Sequence, residues 1–326
     1  MARAFSGIQP SGSSPHLGNY LGAFRRWAED QQPDDVYCVV DLHAMTLPYD
    51  PQELRERTIA VATWLLAAGI DPDVSTLFVQ SHVREHSELA WILNCVATTG
   101  ELRRMVQFKE KSKGSESVTV GLFTYPVLQA ADILLYQARE VPIGEDQRQH
   151  LELSRDIALR FNHRYGDTFT VPRPTFPLAG ARIMDLQDVH AKMSKSVSSP
   201  QGIVDLLDDE RATERKIKRA VTDSGGEVRA AHDKPGVTNL LDLLAAVTGA
   251  TTGELEQRYQ GQGYGAFKTE IAEAVNGVLR PVRQRYAELA ADPGAVAEIL
   301  HKGADRARAM AEDTMRTVRE RVGLLR

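Results

Sequence analysis

Two cysteines in 326 residues, Cys38 and Cys95, are too few for a disulfide framework or a cysteine-built zinc site. Cys38 falls in an apolar strand-like run and Cys95 in a helical one, so both are expected to be buried, reduced thiols. No apolar run reaches the 18 residues of a membrane helix, and the opening Met-Ala-Arg-Ala-Phe lacks the basic-then-apolar profile of an export signal. A cytoplasmic protein without a membrane partner is expected. Positive charge is not in surplus either, since 39 basic against 44 acidic residues leave a formal charge of −5, which argues against indiscriminate binding to DNA or RNA. Any RNA contact must be local. Arg211, Arg215, Lys216, Lys218 and Arg219, and Arg306, Arg308, Arg316, Arg319 and Arg321, form candidate basic clusters that read equally as solvated helix faces. His82 and His86 stand four apart, but His-Val-Arg-Glu-His lacks the metalloprotease order, so both are expected at the surface and no protein-held metal is expected.

What is present is a globular composition, 42% hydrophobic and 25% charged, in a chain long enough for one large domain or two ordinary ones. Residues 2–6, 36–42, 76–80 and 140–143 read as short apolar strands. The stretch 53–68 between two of them has helical periodicity, with Leu54, Val61, Leu65 and Ala68 on one face, and stops at Gly69. Strands alternating with helices predict an α/β fold, a doubly wound parallel sheet of Rossmann-like type with ligands at the carboxyl ends of its strands. Prolines across 170–182 predict a connector. Segments 201–220, 237–248, 251–259, 265–290 and 294–322 are helix-periodic, which predicts a catalytic domain over 1–190 and a C-terminal all-helical domain over 191–326.

Three features carry chemistry. Ser6-Gly-Ile-Gln-Pro-Ser-Gly12, with His16-Leu-Gly-Asn19 after it, sits between a strand and a helix. Glycines there allow close backbone approach, and free amides at a helix start bind anionic oxygens. His16 could meet a phosphate oxygen while Gly18 leaves room for a flat base; a plain glycine-proline turn is the alternative. Lys192-Met-Ser-Lys-Ser196 places two ammonium groups three positions apart with hydroxyls between, an anion clamp for a triphosphate or a leaving pyrophosphate. Asp132 lies inside the apolar helical run 128–135, and an ionised acid buried there needs a specific partner, whether a structural ion pair or a ligand.

His16-Leu-Gly-Asn19 and Lys192-Met-Ser-Lys-Ser196 together resemble the two signature elements of class I aminoacyl-tRNA synthetases. With Gly7-Ile-Gln-Pro-Ser-Gly12, Gly144-Glu-Asp-Gln147, Ala220-Val-Thr-Asp-Ser224 and Gly261-Gln-Gly-Tyr-Gly265, the chain is similar over nearly its whole length to bacterial tryptophanyl-tRNA synthetases. The resemblance implies that tryptophan is activated by ATP, supplied with Mg2+, and passed to tRNA(Trp) by a homodimer whose helical domain reads the anticodon. It implies that Asp132 accepts the indole N–H, that Tyr125 and Gln147 hold the α-amino group, and that Phe5, His43, Val141 and Ile143 line the ring beside Gln129. It also implies an ATP set: Gln9, Pro10, Ser11, His16, Gly18 and Asn19 near the triphosphate; Gly144, Glu145 and Asp146 at the ribose; Ile183 and Met193 at adenine; and Lys192, Ser194, Lys195 and Ser196 in the clamp. His43 reads equally as a satisfied core histidine, and Lys111 as a surface lysine.

Because the tryptophan carboxylate is already ionised, it can attack the α-phosphorus without a protein base, and catalysis becomes positioning plus charge stabilisation. Lys192, Lys195, Lys111 and His16 are expected to neutralise the leaving pyrophosphate while Gln9, Ser11 and Asn19 fix the triphosphate. Two positions depart from the family pattern: Gln129, where many bacterial members carry methionine, and Val197, where aspartate is common. An amide beside the indole changes the pocket's polarity, which opens the alternative of an auxiliary paralogue with altered sensitivity to tryptophan-like inhibitors.

Overall fold

The computed structural model describes residues 3–10, 14–112, 117–175, 183–194 and 199–325. Its strands are β1 (Phe5–Ile8), β2 (Val36–Val39), β3 (Thr76–Val79), β4 (Glu140–Pro142) and β5 (Arg173–Thr175). The helices of the first half are α1 (Leu17–Asn19), α2 (Arg25–Asp30), α3 (Asp41–Ala44), α4 (Pro51–Ala68), α5 (Glu85–Asn94), α6 (Thr99–Arg104), α7 (Val106–Ser112), α8 (Val120–Leu135) and α9 (Arg148–Tyr165). A π-helical turn, Tyr20–Phe24, makes 17–30 one continuous helical run. The second half adds α10 (Glu210–Lys218), α11 (Pro235–Thr248), α12 (Thr252–Arg258), α13 (Tyr264–Ala290) and α14 (Pro293–Val322), with no strand after β5 among the described residues.

All strand pairings are parallel. β1, β2 and β3 pair in that order, with Phe5 opposite Val36 and Val36 opposite Thr76, and β4 pairs β5 with Glu140 opposite Arg173. A parallel bridge between Ala4 and Glu140 joins the two groups, so the strands run β5-β4-β1-β2-β3. The chain therefore winds one way from β1 to β3 and the other way from β4 to β5. The point of reversal, between β1 and β4, is where ligands bind in doubly wound sheets.

Alternation along the strands builds two cores. Tyr37, Val39, Leu77 and Val79 face one cluster with α4, α11 and α13, while Val36, Cys38, Val40 and Phe78 face the other with α5, α8 and α9. The last helix returns to the sheet. Ala304, Ala307, Ala311, Met315 and Val318 of α14 join the second cluster, and Gly303 lies so close to β3 that an added Cβ would stand 1.8 Å from the Leu77 carbonyl oxygen.

Local chemistry sets the boundaries. α4 starts where Asp50 accepts from the amides of Gln52 and Glu53 at 2.9 and 3.0 Å with Pro51 at its first position, and it ends at Gly69, whose φ of 111° is left-handed. β1 runs over Phe5–Ile8, later than the expected 2–6, because Ser6, Gly7 and Ile8 pair with Tyr37, Cys38 and Val39 while Ala4 donates to the Asp35 carboxylate at 3.0 Å. The expected connector at 170–182 contains β5, which tolerates Pro174 at the sheet edge. Residues 201–209 are not helical: Val204 and Leu206 pair with residues 17 and 15, and α10 begins at its cap Asp209, which accepts from the Ala212 amide at 2.6 Å. Cys95 is exposed, contrary to expectation, because α5 ends one residue earlier; Cys38 is buried, and both are free thiols.

Candidate active site

The two sequence elements proposed for phosphate chemistry meet. Past β1, Ser14 donates to Asp205 at 2.6 Å, the Leu17 amide to the Val204 carbonyl at 2.8 Å, and the Leu206 amide to the Pro15 carbonyl at 3.1 Å. This short antiparallel join, centred on a His16–Asp205 bridge, anchors the start of α1 to the chain just beyond the lysine element. His16 is buried, and the Asn19 side chain accepts from its amide at 3.0 Å. A Cβ on Gly18 would lie 3.0 Å from His16 Nδ1 and 3.8 Å from Met193 Cβ, so the glycine leaves open a space bounded by both elements.

Ile183 and Met193 lie side by side on an antiparallel turn in which the Met193 amide donates to the Ile183 carbonyl at 3.1 Å, and both are buried. Lys192 is exposed and Ser194, next but one along the chain, is half-buried. Ser11, Lys195 and Ser196 lie outside the described residues, as do the side chains of Lys111 at the end of α7 and Glu145 in the 3-10 turn Glu145–Gln147. Asp146 in that turn accepts from Gln147 at 2.8 Å, and a Cβ on Gly144 would come within 2.7 Å of its carboxylate.

A cavity of about 330 Å³ opens at the reversal point of the sheet, lined by Phe5, Ser6 and Gly7 of β1 with Gln9 just past its end, by α8 (Tyr125, Gln129, Asp132, Ile133) and by β4 and its exit (Val141, Pro142, Ile143, Gly144, Gln147). Val40, His43, Thr46, Trp27 and Gln107 complete it. The volume is that of a small-molecule site. All eight side chains expected around tryptophan line it, and so do Gln9 and Gly144 of the ATP set. Pro10, His16, Gly18, Asn19, Asp146, Ile183, Lys192, Met193 and Ser194 lie outside its lining.

Asp132 is 1% exposed, and both of its oxygens accept hydrogen bonds. Its Oδ1 accepts from Gln80 Nε2 and His86 Nδ1, both at 2.6 Å, and its Oδ2 from His43 Nε2 at 2.8 Å. His86 Nε2 stands 2.7 Å from the buried Tyr136 hydroxyl. Burial pushes the Asp132 carboxyl upward, but hydrogen bonds and charge from His43 and His86 outweigh it and hold the group below the ordinary carboxylate range. The carboxylate therefore stays ionised inside an apolar helix.

Tyr125 meets His150 Nε2 at 2.8 Å and Gln107 Oε1 at 3.3 Å, and burial pushes its hydroxyl up to about 12. Gln129 Nε2 reaches Gln147 Oε1 at 3.4 Å, a long contact between two amides of the cavity wall. His86, expected at the surface, is fully buried, because Asp132 and Tyr136 satisfy both of its ring nitrogens; His82 is half-buried and stacks on His301. Gln80, His86, Tyr136, Gln107 and His150 are site residues that sequence reasoning missed. The unmet need of a carboxylate in an apolar helix was the one signal, and it bore only on Gln80 and His86, since Tyr136 reaches His86 and Gln107 and His150 reach Tyr125. Among the described residues, no group of three or more His, Cys, Asp or Glu side chains is arranged to hold a metal ion.

The family described as class I tRNA synthetases (W and Y) matches residues 1–280. Tryptophan–tRNA ligase 2 of Streptomyces avermitilis is 54% identical over 327 residues, covering 99% of this chain and 97% of its own. The tryptophanyl-tRNA synthetase of Mycoplasma pneumoniae superposes with a TM-score of 0.88 at 36% identity over 100% of this chain and 98% of that one. The enzyme of Campylobacter jejuni, solved with ADP and tryptophan, gives 0.84 at 37% identity over 99% and 100%.

Proposed function

The chain belongs to the class I tRNA synthetases of the tryptophan and tyrosine type and acts as a tryptophan–tRNA ligase, and we propose that the cavity at the sheet's reversal point is where it binds and activates tryptophan. ATP and L-tryptophan give tryptophanyl-adenylate and pyrophosphate, and the tryptophan then passes to the 3′ end of tRNA(Trp). The supporting observation is that Asp132, Tyr125, Gln147 and an apolar wall from β1 and β4 line one cavity, while Gly18 and Met193 face each other beyond it.

Asp132 accepts the indole N–H. A site built around a buried acceptor rejects amino acids lacking the matching donor far better than an apolar pocket rejects one methylene, so no editing step is needed. Tyr125 and Gln147 orient the α-amino group and leave the ionised carboxylate to attack the α-phosphorus. Gln9, Pro10, Ser11, His16, Gly18 and Asn19 hold the triphosphate of MgATP, Gly144, Glu145 and Asp146 the ribose, and Ile183 with Met193 the adenine. Lys111, Lys192 and Lys195, with Ser194 and Ser196, take up charge on the departing pyrophosphate. The helices beyond residue 200 read the anticodon in a cytoplasmic homodimer. Tryptophan-dependent ATP–pyrophosphate exchange tests the reading: L-tryptophan drives exchange and L-tyrosine and L-phenylalanine do not, and a protein inactive with tryptophan ends it.

A further inference from the structure

An ionised carboxylate is an acceptor only, with two lone pairs on each oxygen. At Asp132, Oδ1 already accepts from both Gln80 and His86, whereas Oδ2 accepts from His43 alone. Asp132 and His43 line the cavity, and Gln80 and His86 do not. The saturated oxygen is thus held by two residues outside the cavity lining, and the half-used one by a residue that lines it.

The same rule places the protons. Nδ1 of His86 must carry hydrogen to face the carboxylate, so in the neutral ring Nε2 accepts from the Tyr136 hydroxyl at 2.7 Å. Tyr136 stays protonated because burial pushes its hydroxyl well up, so the chain Tyr136 to His86 to Asp132 has one direction.

We propose that His86 is a positioning residue for tryptophan selection: tied down by Tyr136, it joins Gln80 in filling Oδ1 of Asp132 and so leaves Oδ2 as the one acceptor open to the indole N–H. This rests on Asp132 being that acceptor. His86 touches no substrate; it acts through the carboxylate.

Two variants separate this role from packing. His86→Leu keeps similar volume and removes the donor; His86→Asn places an amide N–H near the position of Nδ1 and keeps it. Without that anchor the carboxylate turns away from the indole, and forfeiting the indole's hydrogen bond to a charged group predicts a rise in KM for tryptophan of about tenfold to a hundredfold in His86→Leu, with KM for ATP within about twofold of wild type. With one donor fewer, the buried Asp132 protonates more easily, so the defect deepens at the acid end of the pH profile. The groups facing Asp132 and its chain are His43 on α3, His86 and Glu85 on α5, Cys38 on β2 and Tyr136 at the end of α8. All but His86 are common to wild type and variant, so the difference between their profiles isolates it. His86→Asn is expected to regain most of the tryptophan affinity and a profile parallel to wild type.

Unchanged tryptophan KM and pH profile in His86→Leu, or equal defects in both variants at equal melting temperature, overturns the proposal. If His86→Leu does not fold, the Asn variant decides: a profile parallel to wild type supports the role, and a deepening acid limb removes it. Wild-type protein without tryptophan-dependent exchange sinks the underlying functional reading instead.

Discussion

Asp132→Asn removes one charge from a carboxylate that three donors address, Gln80 and His86 at Oδ1 and His43 at Oδ2. The amide can be placed in two ways. With its oxygen toward His43, its NH2 would face two buried donors at once, so the opposite placement is favoured, with the oxygen on Gln80 and His86 and the NH2 turned to the cavity. The indole N–H then loses its acceptor and meets another donor. A hydrogen bond to a charged group contributes about 1.5–3 kcal/mol, and an unsatisfied buried donor adds about 1–3 kcal/mol. Taking about 3 kcal/mol for the pair gives roughly a hundredfold rise in KM for tryptophan, with KM for ATP within about twofold of wild type. The assay is ATP–pyrophosphate exchange with tryptophan, tyrosine and phenylalanine titrated in turn, on protein shown to be folded by its melting curve. Unaltered selectivity among the three amino acids would move the carboxylate out of the tryptophan pocket and refute the reasoning.

Lys195→Ala slows adenylate formation by about 10²-fold or more while tryptophan binding, measured by equilibrium dialysis, stays near wild type; lost affinity at an unchanged rate would contradict a role on the pyrophosphate. Gly303→Ala forces a methyl onto the Leu77 carbonyl and is expected to lower stability by about 3 kcal/mol or more, read as a fall in melting temperature, because the occupied atom is backbone of a central core contact. Glu101 caps α6 and pairs with Arg160; the Arg160 hydrogen bond is the main cause holding it down from the ordinary 4.5 to about 2. A depressed carboxylate stabilises the fold above its unfolded value and loses that contribution as pH falls toward its folded one. The melting-temperature gap between wild type and Glu101→Gln should therefore be full at neutral pH and narrow between about 4.5 and about 2.

How much could be read from the chain depends on whether a feature is local. α4 was legible because its cap, its apolar face and Gly69 all lie within one segment. The proximity of His16, Gly18 and Met193 was legible because the two elements together resemble the signature pair of one enzyme class. β5 was hidden, since Pro172 and Pro174 argue locally against a strand and only its edge position makes them harmless. His86 was hidden for a deeper reason. Its neighbours Arg84 and Glu85 give the segment a polar appearance, and nothing within five residues of it shows that Asp132 and Tyr136 will close on both ring nitrogens. The apolar surroundings of Asp132 showed that donors were required without showing which.

On the proposed reading, one strand brings the tryptophan and ATP sites together. β1 contributes Phe5, Ser6 and Gly7 to the cavity wall, and Gln9, two residues beyond Gly7, leads into the glycine-rich segment before His16. At about 3.3 Å per residue, Phe5 and Gln9 are roughly 13 Å apart, the span of an amino acid set end to end with a phosphate. Gly7 has no side chain to interrupt that span, and a Cβ there would already stand 3.2 Å from Val40 Cγ1. The parallel bridge from Ala4 to Glu140 holds β4 beside β1, so Val141 and Ile143 close the cavity from the far side while the exit of β4 turns Gly144 toward the same opening. A sheet that winds in two directions from its first strand thus sets the apolar cavity wall in line with Gln9 at the exit of β1. The attacking carboxylate is ionised before it arrives, so alignment of this kind together with cationic charge on the leaving side suffices for adenylate formation.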